Sequence, residues 1–217
     1  MIPQGNDFKY FHWGPLLYMS TISDEIRKEL LERGKKSKDD YRHNLAGHID
    51  DERHFEQDDM EFFIEKNAHI IKDFLSAYNN WRDIKESYEI GLNSFWINFM
   101  KAGEFNPTHT HDGDFSFVVY LQVPKELKKE HDKYKKIGKG AGPGAITFLY
   151  GQNEKHFNSV ANFFPKENEI YIFPSNLIHY ASPFKSDVER VSISGNLILK
   201  TLNNTTVGAP NARINNA

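Results

Sequence analysis

Two hydrophobic periods divide the chain near Ile90. Between Asp59 and Asn79, the residues Phe62, Phe63, Ile70, Ile71, Phe74, Leu75 and Tyr78 recur at three- and four-residue steps. That spacing predicts one amphipathic helix ending near Asn79-Asn80, its apolar stripe laid on a sheet. Upstream, Ser23 or Asp24 can cap a helix carrying Ile26, Leu30 and Leu31, with Gly34 just past its end. Tyr41–Ile49 reads as a short turn of helix. After Ile90 the pattern becomes short runs of β-branched and aromatic residues. Strands are predicted at Leu92–Met100, Phe115–Val123, Ala145–Tyr150, Glu169–Phe173 and Arg190–Leu199, with one more inside Asn153–Phe164. Pro107, Gly113, Pro143-Gly144, Gly151, Pro165, Pro174 and Pro183 punctuate the gaps. Successive strands with no helical pattern between them mean an antiparallel sandwich or barrel rather than βαβ units. The expected fold class is α+β, mainly β, with N-terminal helices buttressing one sheet.

At 217 residues the chain can bury a full core. The expected organisation is a single domain over 1–202, with helical support over 1–90 and a strand core over 91–202. An Asn-rich polar tail over 203–217 is expected to be mobile. Lys125–Gly142 is long and basic and reads as a solvated loop; the rival reading is a patch for an anionic substrate or nucleic acid.

Composition narrows the chemistry. Lys plus Arg number 27 against 30 Asp plus Glu, a net charge of −3, so the chain is not a bulk polyanion binder. Cysteine is absent, which excludes disulfides, thiolate nucleophiles and Cys-ligated metals. No apolar run reaches membrane-span length, and the first residues lack the order of a signal peptide. A cytoplasmic protein without membrane contact is the expectation.

Any metal must therefore be held by His and carboxylate. Seven of the ten His (His12, His43, His48, His54, His69, His131 and His156) carry no partner pattern. His109-Thr-His111 differs. In extended chain, residues two apart share a face, so both imidazoles can reach one ion, and Asp112 and Asp114 follow at once. A third histidine, His179, follows a predicted strand in Phe173-Pro-Ser-Asn-Leu-Ile-His179. The three converge if the sheet closes on itself. Imidazole and carboxylate without thiolate suit non-haem Fe(II), and equally zinc. Further on, Arg190 and Ser192 share one strand face and form a fork for a carboxylate. Asn196 lies on that face too, and Asn98 shares a face with Trp96 on an earlier strand, where it could bond a ligand or a neighbouring backbone group.

His-x-His-Asp, a strand ending Tyr120-Leu121, then Phe173-Pro-Ser-x-x-x-His179, then Arg190-x-Ser192 resembles the Fe(II)- and 2-oxoglutarate-dependent oxygenases. The wording Asn106-Pro-Thr-His109-Thr-His111-x-Gly-Asp-x-Ser116-Phe-Val, with Phe173-Pro-Ser, is similar to the oxygenases common in marine cyanophages; Asn44-Leu-Ala-Gly47 adds a weaker likeness. The resemblance covers roughly Phe95 to Leu199. It implies a double-stranded β-helix, or jelly roll, with Fe(II) at the open end and 2-oxoglutarate as cosubstrate. His109 is then the proximal ligand and His179 the distal one. Arg190 would pair with the distal carboxylate of 2-oxoglutarate, with Ser192 or Tyr120 adding a hydrogen bond. The usual third ligand is a carboxylate two residues after the first His, where this chain has His111. Either His111, Asp114 or Asp112 completes the set, and strand alternation favours His111. The implied activity is hydroxylation of a protein side chain, a nucleobase or a small molecule, in the host cytoplasm if phage-encoded, with a homodimer among the expectations. Two rival readings stay open: a cupin-like three-His dioxygenase without 2-oxoglutarate, and a non-catalytic β-barrel binding module.

Overall fold

A computed structural model describes residues 14–83, 88–152 and 158–201. In chain order come β1 (Tyr18–Thr21), α1 (Asp24–Lys36), a 3-10 turn at Arg42–Asn44, β2 (Glu52–His54), α2 (Gln57–Lys66) and α3 (Ala68–Arg82). They are followed by β3 (Tyr88–Met100), β4 (Asn106–His109), β5 (Phe115–Gln122), α4 (Lys125–Lys135), β6 (Ile146–Leu149), β7 (Val160–Phe163), β8 (Glu169–Pro174), β9 (Ile178–Ala181) and β10 (Arg190–Thr201). The strands form a six-stranded sheet, β1-β8-β5-β10-β3-β2, and a four-stranded sheet, β4-β9-β6-β7. Every pairing within them is antiparallel. This is the mainly β, antiparallel architecture expected from the strand pattern, in the double-stranded β-helix form that the family resemblance implied.

The central strands of the large sheet are two-faced. Phe95, Ile97 and Phe99 of β3, Phe115, Phe117, Val119 and Leu121 of β5, and Val191 and Ile193 of β10 pack under the helices with Leu30, Phe63, Ile70 and Phe74. Phe63 stacks on Phe117 at 4.6 Å and lies 5.1 Å from Phe95. On the opposite face, Val118, Tyr120, Tyr171 and Phe173 meet Ile146 and Phe148 of the small sheet. Alternation of side chains along each strand produces this sorting.

Several expectations are corrected. The helix foreseen over Asp59–Asn79 is two helices, because the Asn67 side chain donates to the Phe63 carbonyl (2.9 Å) and ends α2. α1 runs beyond Gly34 to Lys36. Gly34 is buried inside it because a Cβ there would stand 2.2 Å from Ile97 Cδ1, so the missing side chain lets α1 approach β3. Ser23 does cap this helix, accepting from the Ile26 amide. The foreseen turn over Tyr41–Ile49 is only the 3-10 turn at Arg42–Asn44. The residues before Ile90 are not wholly helical, since β1 and β2 form the two edges of the large sheet. The largest correction is Lys125–Gly142, where α4 replaces the expected loop. Its lysines face water, while Leu127 and His131, four apart, form a narrow buried stripe. The proposed strand in Asn153–Phe164 is β7, whose approach at 153–157 lies outside the described residues. The expected mobile tail at 203–217 lies outside them as well.

One buried acid stands out. Glu52 is 1% exposed, and both of its carboxylate oxygens are buried without a hydrogen-bond partner. It lies in register with Asn98 and close against Gly47. Burial first, then the charges of Glu104 and Asp40, pushes its carboxyl up to about 7, with Arg42 pulling the other way. The folded chain therefore holds a proton that the unfolded chain has lost. Stability should be greatest below the ordinary carboxylate range and fall as pH rises to about 7. The loss is on the order of 3 kcal/mol at most. In Glu52→Gln this slope should vanish, leaving the variant the more stable protein at pH 8. Denaturant melts across pH 5–8 check it; an unchanged slope in the variant would assign the effect elsewhere.

Candidate metal centre and anion pocket

The site lies between the sheets. β4 pairs with β9 so that His109 stands opposite His179. The chain leaves β4 after His109, and His111 follows in a bend whose amide donates to the Ser175 carbonyl (2.8 Å). The two histidines therefore do not share one strand, as the alternation argument supposed, yet they converge. One ring nitrogen or other of His109, His111 and His179 lies within 4.8 Å of its counterparts, and His111 Nε2 is 3.2 Å from His179 Nε2.

Two of the rings are oriented from behind. His109 Nδ1 lies 2.7 Å from the Pro107 carbonyl and His179 Nδ1 lies 2.9 Å from the Leu177 carbonyl. A carbonyl only accepts, so both Nδ1 atoms carry the proton and each Nε2 keeps its lone pair. Such outer hydrogen bonds are how metal-ligating imidazoles are held. Burial holds His111 down to about 3, helped by the nearby His179 and His109. Burial and then His109 hold His179 down to about 4, against the raising effect of its Leu177 bond. Burial also lowers His109, with its Pro107 bond opposing. All three rings are neutral at neutral pH, the form that coordinates a cation.

Of the open choices for a third group, the structure brings His111 to the cluster. Asp112 and Asp114 are exposed and outside it. Asp114 instead accepts from the Leu199 amide (2.7 Å) and so fastens the turn to β10. The Ser116 hydroxyl donates to Asn196 Oδ1 (2.8 Å) and lies 3.0 Å from the Ser175 hydroxyl. Asn196, foreseen on the face of Arg190, thus belongs to the brace that carries His111. That brace was not legible in the sequence, because Ser116, Ser175 and Asn196 are far apart in the chain.

The cleft holding the histidines has a volume of about 870 Å³, its open mouth included, and Asn98, Tyr120, Arg190 and Ser192 line it too. The register explains their company. Ser192 lies opposite Asn98 on one side and Tyr120 on the other, and Arg190 lies opposite Met100. Arg190 is 3% exposed. One Nη donates to the Gly144 carbonyl (3.0 Å), the other lies 2.8 Å from Met100 Sδ, and Nε has no partner. Among the described residues no carboxylate forms an ion pair with it. Its guanidinium carbon lies 5.5 Å from the Tyr120 ring centre, and burial lowers its proton affinity. Burial likewise raises the Tyr120 phenol to about 12. Asn98 Nδ2 reaches Ser192 Oγ at 3.5 Å, and Asn98 Oδ1 is unpartnered. The Asn44–Ala46 segment, Ile49 and Trp96 also line the cleft, with the Trp96 ring 5.5 Å from that of His111.

Residues 94–196 match the family model described as "Putative 2OG-Fe(II) oxygenase". Among solved structures the chain is similar to a viral collagen prolyl hydroxylase from Paramecium Bursaria Chlorella virus-1 in complex with 2OG. Identity is 14%, covering 83% of this chain and 94% of that one, with a TM-score of 0.53. It is also similar to a Pseudomonas putida prolyl-4-hydroxylase, at 12% identity, 82% and 90% coverage and a TM-score of 0.51. No curated protein matches. At such identities the likeness is one of fold. The fold is the double-stranded β-helix of 2OG-Fe(II) oxygenases, and the matched segment supports that superfamily.

The geometry yields a direct expectation. His179→Ala should lose uptake of a divalent ion, whereas Asp114→Asn should take up the wild-type amount, measured as metal content after loading and desalting. Retained metal in His179→Ala, or lost metal in a folded Asp114→Asn, would break the three-histidine assignment.

Proposed function

We propose that this chain is an Fe(II)- and 2-oxoglutarate-dependent dioxygenase that hydroxylates a C–H bond. The observation that carries this is Arg190, a buried guanidinium with no carboxylate partner among the described residues, in the same cleft as three converging neutral imidazoles. A buried cation without an anion is costly, so the pocket is built for a ligand that brings one.

His109, His111 and His179 would hold Fe(II), three donors that leave positions for other ligands. With iron bound, dioxygen would be the oxidant: one oxygen atom would enter the C–H bond and the other the succinate left as 2-oxoglutarate loses CO2, while the protein would supply orientation. The residues fit that division. Arg190 has one Nη–H directed to Gly144 and one to the Met100 sulfur, which leaves its Nε–H and the second proton of each Nη for the distal carboxylate of 2-oxoglutarate. The Ser192 hydroxyl adds a bond on the same face, and the Asn98 amide orients it. Tyr120 closes the pocket beside the guanidinium with a phenol that stays protonated. Trp96 and the Asn44–Ala46 segment would form the wall that meets the substrate. A protein side chain, a nucleobase and a small molecule remain the candidate substrates. Kinship with the cyanophage branch rests on the wording of residues 106–118 and 173–175. A cytoplasmic setting completes the proposal; no helix among the described residues is long and apolar enough to cross a membrane.

Anaerobic titration of iron-loaded protein with 2-oxoglutarate, followed by its metal-to-ligand charge-transfer absorption, tests the reading. Arg190→Ala should weaken binding by about 10–100-fold with iron affinity unchanged, since it removes a charged hydrogen-bond partner. Ser192→Ala should weaken it less. Equal affinities for wild type and Arg190→Ala would mean that the pocket does not hold this cosubstrate.

A further inference from the structure

We infer that α4 is the back-plate of the anion pocket and that His131 is a positioning residue for Arg190, acting through the adjoining peptides Pro143–Gly144 and Gly144–Ala145. The inference rests on the proposed binding of 2-oxoglutarate at Arg190 and assigns a role to a helix outside the metal centre.

The chain of contacts is short. His131 is buried at 8% exposure, and its Nδ1 lies 2.9 Å from the Pro143 carbonyl. The carbonyl only accepts, so His131 donates. The next carbonyl, that of Gly144, accepts from Arg190 Nη1 at 3.0 Å. One side chain of α4 thus holds the Pro143–Gly144 peptide, and the next peptide, Gly144–Ala145, holds one edge of the guanidinium. The local backbone is made for this closeness. Gly142 and Gly144 have φ of +92° and +69°, and a Cβ on Gly142 would stand 2.9 Å from the His131 ring. A Cβ on Gly144 would stand 2.8 Å from Leu127, the other buried residue of the helix. The ring of Phe164 packs on His131 at 4.4 Å and limits its rotation.

A second clamp comes from the adjacent residue. The Glu130 carboxylate accepts from the Lys185 amide (3.0 Å), the Ser186 amide (2.8 Å) and the Ser186 hydroxyl (2.6 Å). That loop leads directly into Arg190. Leu127, Phe184 and Met100 pack in one cluster, and Met100 sulfur is the other contact of Arg190. Consecutive residues of α4 therefore hold both the Pro143-Gly144 segment that Arg190 contacts and the loop that leads into Arg190. An Arg side chain has four flexible torsions, and a two-point grip on a carboxylate requires its plane to be set before binding.

Calorimetric titration of iron-loaded, anaerobic protein with 2-oxoglutarate tests this in wild type, His131→Ala, His131→Asn and Arg190→Ala. Iron affinity and thermal midpoint are read on each as a check of the fold. Loss of a neutral hydrogen bond should make His131→Ala bind 2-oxoglutarate about 3–10-fold more weakly, with iron affinity unchanged. His131→Asn places an amide N–H where Nδ1–H stood and should recover most of the affinity. Wild-type affinity in His131→Ala, with Arg190→Ala impaired, would overturn the positioning role alone. Equal weakening in the Ala and Asn variants would reduce His131 to packing and overturn it too. Wild-type affinity in Arg190→Ala would overturn the anion pocket and this inference with it.

Discussion

The two-residue period of β10 is the constraint on which the rest depends. Val191 and Ile193 turn toward the helices and are fully buried there, while Arg190, Ser192, Ser194 and Asn196 turn toward the small sheet and all but Ser194 are buried. A slip of one residue would bury the guanidinium in an aromatic core and put valine in the cleft. The aromatic layer of Phe63, Phe95 and Phe117 prevents that slip, because it rewards one register only. Gly195 strengthens the restriction, since a Cβ there would stand 2.7 Å from the Phe117 ring. Core packing on one face of the sheet therefore fixes functional geometry on the other.

The metal-centre end is held differently. There the strands are short, and the order comes from hydrogen bonds that link distant parts of the chain. His111 is tied to Ser175, Ser175 to the Asp114 carbonyl, and the Asp114 carboxylate to β10. A carboxylate next to the histidines is thereby spent on structure, and the cluster is left with imidazoles alone. The Nδ1 bonds of His109 and His179 to carbonyls two residues earlier then present their Nε2 atoms without help from any distant group.

What could be read in the sequence follows from what is local. The central strands of the large sheet, β3, β5, β8 and β10, were legible because each carries a run rich in β-formers; Arg190 and Ser192 were legible on β10, and His109 and His179 by their spacing around those runs. The edge strands β1 and β2 were not, because three or four residues carry no period of their own and are extended only by pairing with a neighbour. α4 was hidden by its lysines: two buried positions four apart are too few to stand out among eight charged ones over Lys125–Lys135. The split between α2 and α3 rests on one asparagine bonding back to its own helix, which apolar spacing does not register. His131 was dismissed for the same reason that α4 was missed, since its partner is a carbonyl, and carbonyls leave no mark in a sequence.

Charge supports the proposed reading over its rivals. The cleft as built holds one guanidinium and three neutral rings, so a divalent ion would raise it to about three positive charges. A dianion with two carboxylates lowers that to one and places one carboxylate at each end. A metal centre working without a cosubstrate would leave the guanidinium and the ion to repel each other across a poorly solvated space. A barrel with no ligand would be better served by an apolar residue than by an arginine 3% exposed with an unpartnered Nε. On the proposed reading, one dianion fills both ends of the cleft and offsets the arginine's cost. That reading ties the histidines and Arg190 into one site, and it gives the bracing inferred for α4 a purpose at a residue away from the metal centre.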